Sequence, residues 1–222
     1  MERNLVETED GSHTLFVPAL DEQYHSRHGA VQESRHVFLK MGWENAKLEK
    51  EALRILEIGL GTGLNALLTA IEAERSGIEV DYVAVEAYPI QPEEYTLMNY
   101  PDLVGEEGAA KLFEQIHTTN WGAPQTISPN FRIQKLHEKI EAFDLHQGVD
   151  LIYFDAFAPE KQPELWTADI FDKMYRLMNV GGVLTTYCAK GVVRRTMQAA
   201  GFEVERVPGP PGKREMLIAR KK

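Results

Sequence analysis

The sequence predicts a doubly wound α/β domain spanning residues 1–222, and three observations predict it. An apolar run, Leu53–Ile58, meets Gly59, Gly61 and Gly63 and leaves as an apolar-periodic segment from Leu64 to about Ser76. That pattern is strand, tight turn and helix. From there to Ala200, strand-like and helix-like stretches alternate without a repeat, a linker or a low-complexity segment. Such alternation builds a mostly parallel sheet wrapped by helices. The last strand-like stretches, Phe202–Val207 and Glu215–Ala219, flank the loop Pro208-Gly209-Pro210-Pro211-Gly212, which suits a closing antiparallel hairpin.

Each element follows from its residues. Leu5 to Phe16 alternates around Asp10-Gly11, a good hairpin turn, and opens an N-terminal extension, residues 1–45, expected to pack on the core. Asp21 to Lys40 is polar and is expected to lie, helical or irregular, over the functional site. Its His25 and His28 have no third ligand close by and read as surface histidines. Ala46 to Glu51 reads as a charged helical lead into the first core strand. Ile78–Glu86 is the second strand. Ala87 to Pro92 is loop, Glu93–Tyr100 a helix stopped by Pro101, and Gly108–His117 another helix. Asn120–Asn130 reads as loop, Phe131–His137 as the third strand and Glu138–His146 as a short helix. Asp150–Asp155 is an apolar fourth strand. Leu165–Met178 is an amphipathic helix ended by Gly181-Gly182, Val183–Cys188 the fifth strand and Gly191–Ala200 a helix.

Composition bounds the function. Hydrophobic residues make up 43% and charged residues 26% of the 222, a balance that supports a packed core with a polar surface. No apolar run reaches bilayer-spanning length and no signal peptide opens the chain, so a cytoplasmic enzyme is expected, with no membrane partner. Cys188 is the only cysteine, which excludes an intrachain disulfide and a thiolate cluster, and no metal is expected. The net charge is −10, but Thr186 to Lys222 carries nine Lys or Arg against three Glu, a local balance of +6 on a body of −16. A basic C-terminal region of this kind can hold a phosphate backbone or simply face solvent.

The glycine turn carries the chemistry. Glycines let backbone approach a ligand and adopt angles closed to other residues, and the following helix directs free N–H groups into the same space. The spacing is Gly-x-Gly-x-Gly, with Leu64 where a dinucleotide-binding turn wants its last glycine, which disfavours a nicotinamide cofactor. Glu57 stands two places before the first glycine, and Glu86 ends the next strand. Asp155 ends the fourth strand, at the sheet edge where open α/β folds place their ligands. By position alone, Asp155 is either a reacting carboxylate or a loop hydrogen-bond acceptor.

Glu57-x-Gly59-x-Gly61-x-Gly63 resembles the first motif of S-adenosylmethionine-dependent methyltransferases with a Rossmann-like fold. The resemblance implies that the turn packs on the methionine part and ribose of that cofactor and that Glu86 binds the ribose hydroxyls. Asp155-Ala156-Phe157-Ala158-Pro159, continuing through Pro163 to Trp166, is similar to a signature of one small family, the methyltransferase domain of MnmC. Lys190-Gly191-Val192-Val193-Arg194-Arg195, Gly212-Lys213-Arg214-Glu215-Met216, Leu64-Asn65, Glu86-Ala87-Tyr88-Pro89 and Gln32 to Leu39 match it too, in order and over nearly the whole chain.

That resemblance implies N-methylation of 5-aminomethyl(-2-thio)uridine at the tRNA wobble position. Its partners are then tRNA and the enzymes that install the aminomethyl group. It implies cofactor contacts at Glu57, Gly59, Gly61, Gly63, Asn65, Glu86 and Ala87, and a catalytic role for Asp155. Phe157, Pro159 and Trp166 would shape the base pocket, with Lys190, Arg194, Arg195, Lys213 and Arg214 near phosphate. The sequence departs from the family twice. It ends at Lys222 without a fused oxidase domain, so a stand-alone form is expected. It also reads Lys135-Leu136-His137-Glu138 where the family tends to carry Gly-Asp, which shifts adenine recognition to His137, Glu138 or a backbone amide. Two other readings stay open: methyl or aminopropyl transfer to a small amine, which suits the acidic body, and a non-catalytic cofactor-binding module of a tRNA-modification complex.

Overall fold

The structure is a computed structural model that describes residues 1–48 and 50–222. The N-terminal strands β1 (Asn4–Glu7), β2 (His13–Val17) and β3 (Glu22–Gln23) form a small antiparallel sheet around the Asp10-Gly11 turn. Asp10 Oδ1 accepts hydrogen bonds from the Thr8 hydroxyl and the Ser12 amide, which explains why the chain reverses there. Helix α1 (Ala30–Ser34) continues into a π-helical stretch, Arg35–Trp43, and α2 (Glu44–Ala46). The helical lead expected over 46–51 therefore stops at Ala46; Glu49, inside it, lies outside the described residues.

The core begins with β4 (Ala52–Ile58), α3 (Leu64–Ser76) and β5 (Glu79–Val85). Next come α4 (Pro92–Tyr95), α5 (Tyr100–Val104) and α6 (Ala109–Thr118). The helix expected over 93–100 ends at Tyr95, and Pro101, expected to stop it, sits in the first turn of α5, where its missing N–H costs nothing. Strand β6 (Gln125–Ser128) lies inside the expected 120–130 loop and pairs antiparallel with β7 (Phe131–Leu136). The expected helix at 138–146 is absent. Ile140 and Phe143 are buried, and the Lys173 ammonium donates to the carbonyls of Ile140, Glu141 and Phe143, so the backbone is satisfied without helical bonds.

Strand β8 (Val149–Phe154) is followed by a 3₁₀ turn, Pro163–Trp166, and by α7 (Ala168–Leu177), so the expected helix starts three residues late. Lys221 Nζ donates to the Tyr175 carbonyl in the last turn of α7 and to that of Met178, which stops the helix. Gly181-Gly182 falls inside β9 (Met178–Thr186), not at a helix cap. Helix α8 (Gly191–Ala199) and the hairpin β10 (Glu203–Pro208) and β11 (Glu215–Arg220) complete the chain.

The large sheet has the order β6-β7-β5-β4-β8-β9-β11-β10. Strands β7, β5, β4, β8 and β9 run parallel, and β6, β11 and the β10 hairpin are antiparallel additions at the edges. The last four residues of β4, β5 and β8 are buried on both faces, so these strands read as apolar runs. Ile55, Tyr82 and Tyr153 face α3 and α6, whereas Leu56, Val83 and Phe154 face α7 and α8. This places the carboxyl ends of β4, β5 and β8 side by side.

Candidate active site

Three strand ends converge on one cavity of about 560 Å³, within the range of ligand pockets. β4 delivers the glycine turn. Gly59 and Gly61 stand at φ +88 and +52, where side chains are disfavoured. A Cβ on Gly61 would lie 3.0 Å from the Tyr24 ring. β5 delivers Glu86, whose Oε2 accepts from the Gly61 N–H at 2.9 Å and Oε1 from the Tyr88 N–H at 2.8 Å. The carboxylate thus fixes the turn and keeps lone pairs on both oxygens for a ligand. Ala87 lines the cavity beside it.

The N-terminal extension supplies the opposite wall, as its polar composition leads one to expect. Tyr24 lies against Phe157 edge to face, centroids 5.0 Å apart. Arg3 holds it there: Nε donates to the Tyr24 hydroxyl at 2.9 Å, and the guanidinium also pairs with Glu94 at 3.0 Å. His25 corrects its expectation as a surface residue. It is buried, bonded to Thr14 at 3.0 Å, and burial pushes its pKa down to about 4.

β8 delivers Asp155. Its Oδ2 accepts from Asn65 Nδ2 at 2.9 Å. Burial pushes its carboxyl up to about 7, the negative charge of Glu33 adds to the rise, and the Asn65 bond and the Lys213 cation oppose it. Lys213 Nζ lies 2.6 Å from Glu33 Oε1 and 3.9 Å from the Tyr187 ring centroid. The Tyr187 hydroxyl donates to the Ala156 carbonyl at 2.9 Å and anchors the loop after Asp155.

Of the expected site residues, Gly59, Gly61, Asn65, Glu86, Ala87, Asp155, Phe157 and Lys213 line this cavity. Glu57 does not: it is fully buried under the turn, where its Oε1 accepts from Asn65 Nδ2 at 3.0 Å. Gly63 caps α3 off the cavity. Trp166 is core, packed on Phe154 at 5.0 Å, and its indole N–H donates to the Phe157 carbonyl at 2.9 Å. It therefore shapes the loop and does not touch the cavity, and Pro159 also stands back from it. Lys190 is paired with Glu160, Arg194 is half-buried, and Arg195 and Arg214 are exposed; none lines the cavity. Lys213, expected at phosphate, is instead ion-paired inside the cavity. On the side after β7, Glu138 lines the cavity and His137 does not. Glu33, Tyr24 and Tyr187 went unassigned in the sequence, where no spacing links positions 24 and 33 to 155.

A glycine turn clasped by an acid from the next strand, in a mostly parallel sheet closed by an antiparallel hairpin, defines the Rossmann-like methyltransferases that use S-adenosylmethionine. Residues 111–222 match the profile of a family described as S-adenosyl-L-methionine-dependent methyltransferase, and the chain belongs to that family. It is 31% identical over 241 residues to the tRNA 5-methylaminomethyl-2-thiouridine biosynthesis bifunctional protein MnmC of Cupriavidus metallidurans, covering 93% of this chain and 32% of that protein. The MnmC of Pseudomonas fluorescens (strain Pf-5) is 32% identical over 210 residues, 89% of this chain and 32% of that protein. The chain thus spans about a third of the length of these curated relatives. The crystal structure of MnmC2 from Aquifex aeolicus superposes with a TM-score of 0.81 at 25% identity, over all of this chain and 70% of that one. A methyltransferase from Pyrococcus furiosus, at TM-score 0.50 and 19% identity over 92% of this chain and 90% of that one, shares the fold alone.

S-adenosylmethionine fits the residues present. The turn offers bare backbone at Gly59 and Gly61, and Glu86 keeps acceptors for hydroxyls. Among the described residues, no group of three His, Cys, Asp or Glu is arranged to hold a metal, and no helix is long and apolar enough to cross a membrane.

Proposed function

We propose that the protein N-methylates the 5-aminomethyl group of 5-aminomethyl(-2-thio)uridine at the tRNA wobble position, giving the 5-methylaminomethyl form. The observation that carries this reading is Asp155: a carboxyl poised near neutrality in the same cavity as the glycine turn and Glu86. The bound cofactor supplies an electrophilic sulfonium methyl. The amine nitrogen must bring a free lone pair to it, yet an alkylamine is mostly ammonium near neutral pH. Asp155 pairs with that ammonium, accepts one of its protons and orients the freed lone pair, before the nitrogen–carbon bond forms and the methyl carbon–sulfur bond breaks. At about 7, its carboxylate binds a proton roughly a thousandfold more tightly than an ordinary aspartate does. The orientation it imposes on the lone pair supplies the rest.

Phe157 and Tyr24 present aromatic surface on which a pyrimidine stacks. Lys190, Arg194, Arg195 and Arg214, outside the cavity on the basic C-terminal region, are the phosphate contacts in this proposal. The MnmC names of the relatives support the same substrate. The enzymes that install the aminomethyl group act before this one. A second reading, transfer to a small cationic amine, is favoured by the acids Glu22, Glu33 and Glu138 around the cavity.

The test is nucleoside mass spectrometry of wobble uridines with and without the gene, together with labelled-methyl transfer by the purified protein. Accumulation of 5-aminomethyluridine species on deletion, with transfer to undermodified tRNA and none to polyamines, is expected. Transfer to polyamines alone selects the second reading. Binding of cofactor without turnover on either returns the protein to a non-catalytic module.

A further inference from the structure

We propose that Glu57 and Asn65 form a positioning pair for Asp155, with the Asn65 amide tying the reacting carboxyl to an acid buried beneath the glycine turn. The inference rests on the reading of Asp155 above and removes Glu57 from the cofactor contacts that the first motif implies.

The geometry is specific. One nitrogen, Asn65 Nδ2, donates to Glu57 Oε1 at 3.0 Å and to Asp155 Oδ2 at 2.9 Å. An amide nitrogen carries two hydrogens, so both are used and the side chain has no freedom to turn. Asn65 is 4% exposed and Glu57 is 0% exposed. Asn65 stands in the first turn of α3, and its backbone carbonyl accepts from the Thr69 hydroxyl at 2.7 Å. The Glu57 carboxyl lies in the core beside the Tyr82 hydroxyl, with its remaining oxygen, Oε2, fully buried away from the cavity. A charged carboxylate in that setting is costly, and a cofactor contact needs an oxygen that reaches the cavity. Glu57 has none to offer.

Burial raises the Glu57 carboxyl well above its ordinary value, with the Asp155 charge adding to the rise. Asp155, at the cavity wall, is the member of the pair that faces a ligand. The other groups facing Asp155 are Glu33 from α1, Lys213 from the β10–β11 loop and Tyr187 after β9. Among the described residues, Asn65 is the group that donates a hydrogen bond to its carboxylate. Without it, the carboxyl swings free and binds its proton more tightly.

Carboxyl-labelled NMR titration of the full chain tests this without any turnover. Asn65→Ala should move the Asp155 titration to higher pH. An Asp155 titration unmoved by Asn65→Ala overturns the pair. Kinetics on undermodified tRNA add a second readout. Glu57→Ala should lower kcat roughly tenfold to a hundredfold, the scale of a misplaced reacting group, with cofactor Kd within about twofold of wild type. Glu57→Gln, which keeps the acceptor for Asn65, should recover most of that loss. A Glu57→Gln variant that binds the cofactor much more weakly would make the charge of Glu57 a cofactor contact instead. Asp155→Ala, run alongside, separates the two claims: full activity in that variant removes Asp155 itself, whereas its loss beside an unaffected Glu57→Ala variant removes only the pair.

Discussion

Gly59 touches the backbone of Asp155: a Cβ on Gly59 would lie 2.7 Å from the Asp155 carbonyl oxygen. The Asp155 N–H donates to the Ile58 carbonyl at 3.0 Å, so the cofactor turn and the candidate catalytic strand end are docked on each other. The close approach explains the first glycine without reference to a ligand, and φ +88 adds to it. Gly59→Ala should cost about 1–3 kcal/mol of stability, the scale of a strained backbone position. It should also displace Asp155 and the turn together. Denaturant unfolding and calorimetry with S-adenosylmethionine check this; wild-type values in both contradict the docking.

Gly61→Val should abolish cofactor binding. A β-branched side chain at φ +52 is strained, and its Cβ meets the Tyr24 ring at 3.0 Å. Relief requires Tyr24 to leave the Arg3 hydroxyl bond and the Phe157 edge, which opens the wall of the cavity. Near-wild-type affinity in a folded variant, by calorimetry, removes the turn from the cofactor site.

Glu86→Ala should weaken cofactor binding by about 1–3 kcal/mol, the range for lost hydrogen bonds to a charged group. The deletion also frees the Gly61 and Tyr88 amides that the carboxylate now holds. An unchanged dissociation constant places the ribose contact on another residue.

What the sequence disclosed was whatever has a local signal. The turn at Gly59–Gly63, the acid at Glu86 and the parallel strands each show in a few adjacent residues. Strand β6 did not, because Gln125–Ser128 is polar and held at an edge by pairing with β7. The expected helix at 138–146 failed because Lys173, thirty or so residues away, satisfies its carbonyls. Within the site, Glu57 carries the family's acid in the right place, but its burial and its Asn65 partner are tertiary facts. Lys213 read as a phosphate contact because its charge was visible and its partner, 180 positions earlier at Glu33, was not.

Stability should respond to pH through opposing groups. The native Asp155 carboxyl is raised from 3.8 to about 7, so the folded state holds that proton when the unfolded chain has released it. Its contribution is full below about 4 and is lost as pH rises through about 7. His25 and His117 are lowered from 6.5 to about 4, so their contribution is present above about 6.5 and is lost as pH falls through about 4. The two trends oppose each other over nearly one window. Asp155→Asn removes the first, and its unfolding free energy should rise more steeply with pH between about 4 and about 7 than that of the wild type. Urea unfolding at a series of pH values reads this directly; parallel profiles place the Asp155 titration outside that window.

Asp155→Ala separates catalysis from binding. The residue stands at the rim of the sheet, so the variant should fold. It should still bind S-adenosylmethionine, because Gly59, Gly61 and Glu86, the contacts proposed for it, keep their places. Removing the carboxylate takes away the group proposed to orient the ammonium and accept its proton. Methyl transfer to undermodified tRNA should fall by roughly a hundredfold or more, the contribution of a positioned acid–base group. In the wild type, the Asp155 carboxyl near 7 should set an acidic limb in the rate profile, and that limb should vanish in the variant. Above about 7 the defect should shrink as pH rises, because free amine becomes available without help from the protein. Full activity of Asp155→Ala at neutral pH removes the residue from the mechanism. A variant that turns over normally at saturating cofactor but binds it weakly makes Asp155 a cofactor ligand, and the proton must then leave by another route.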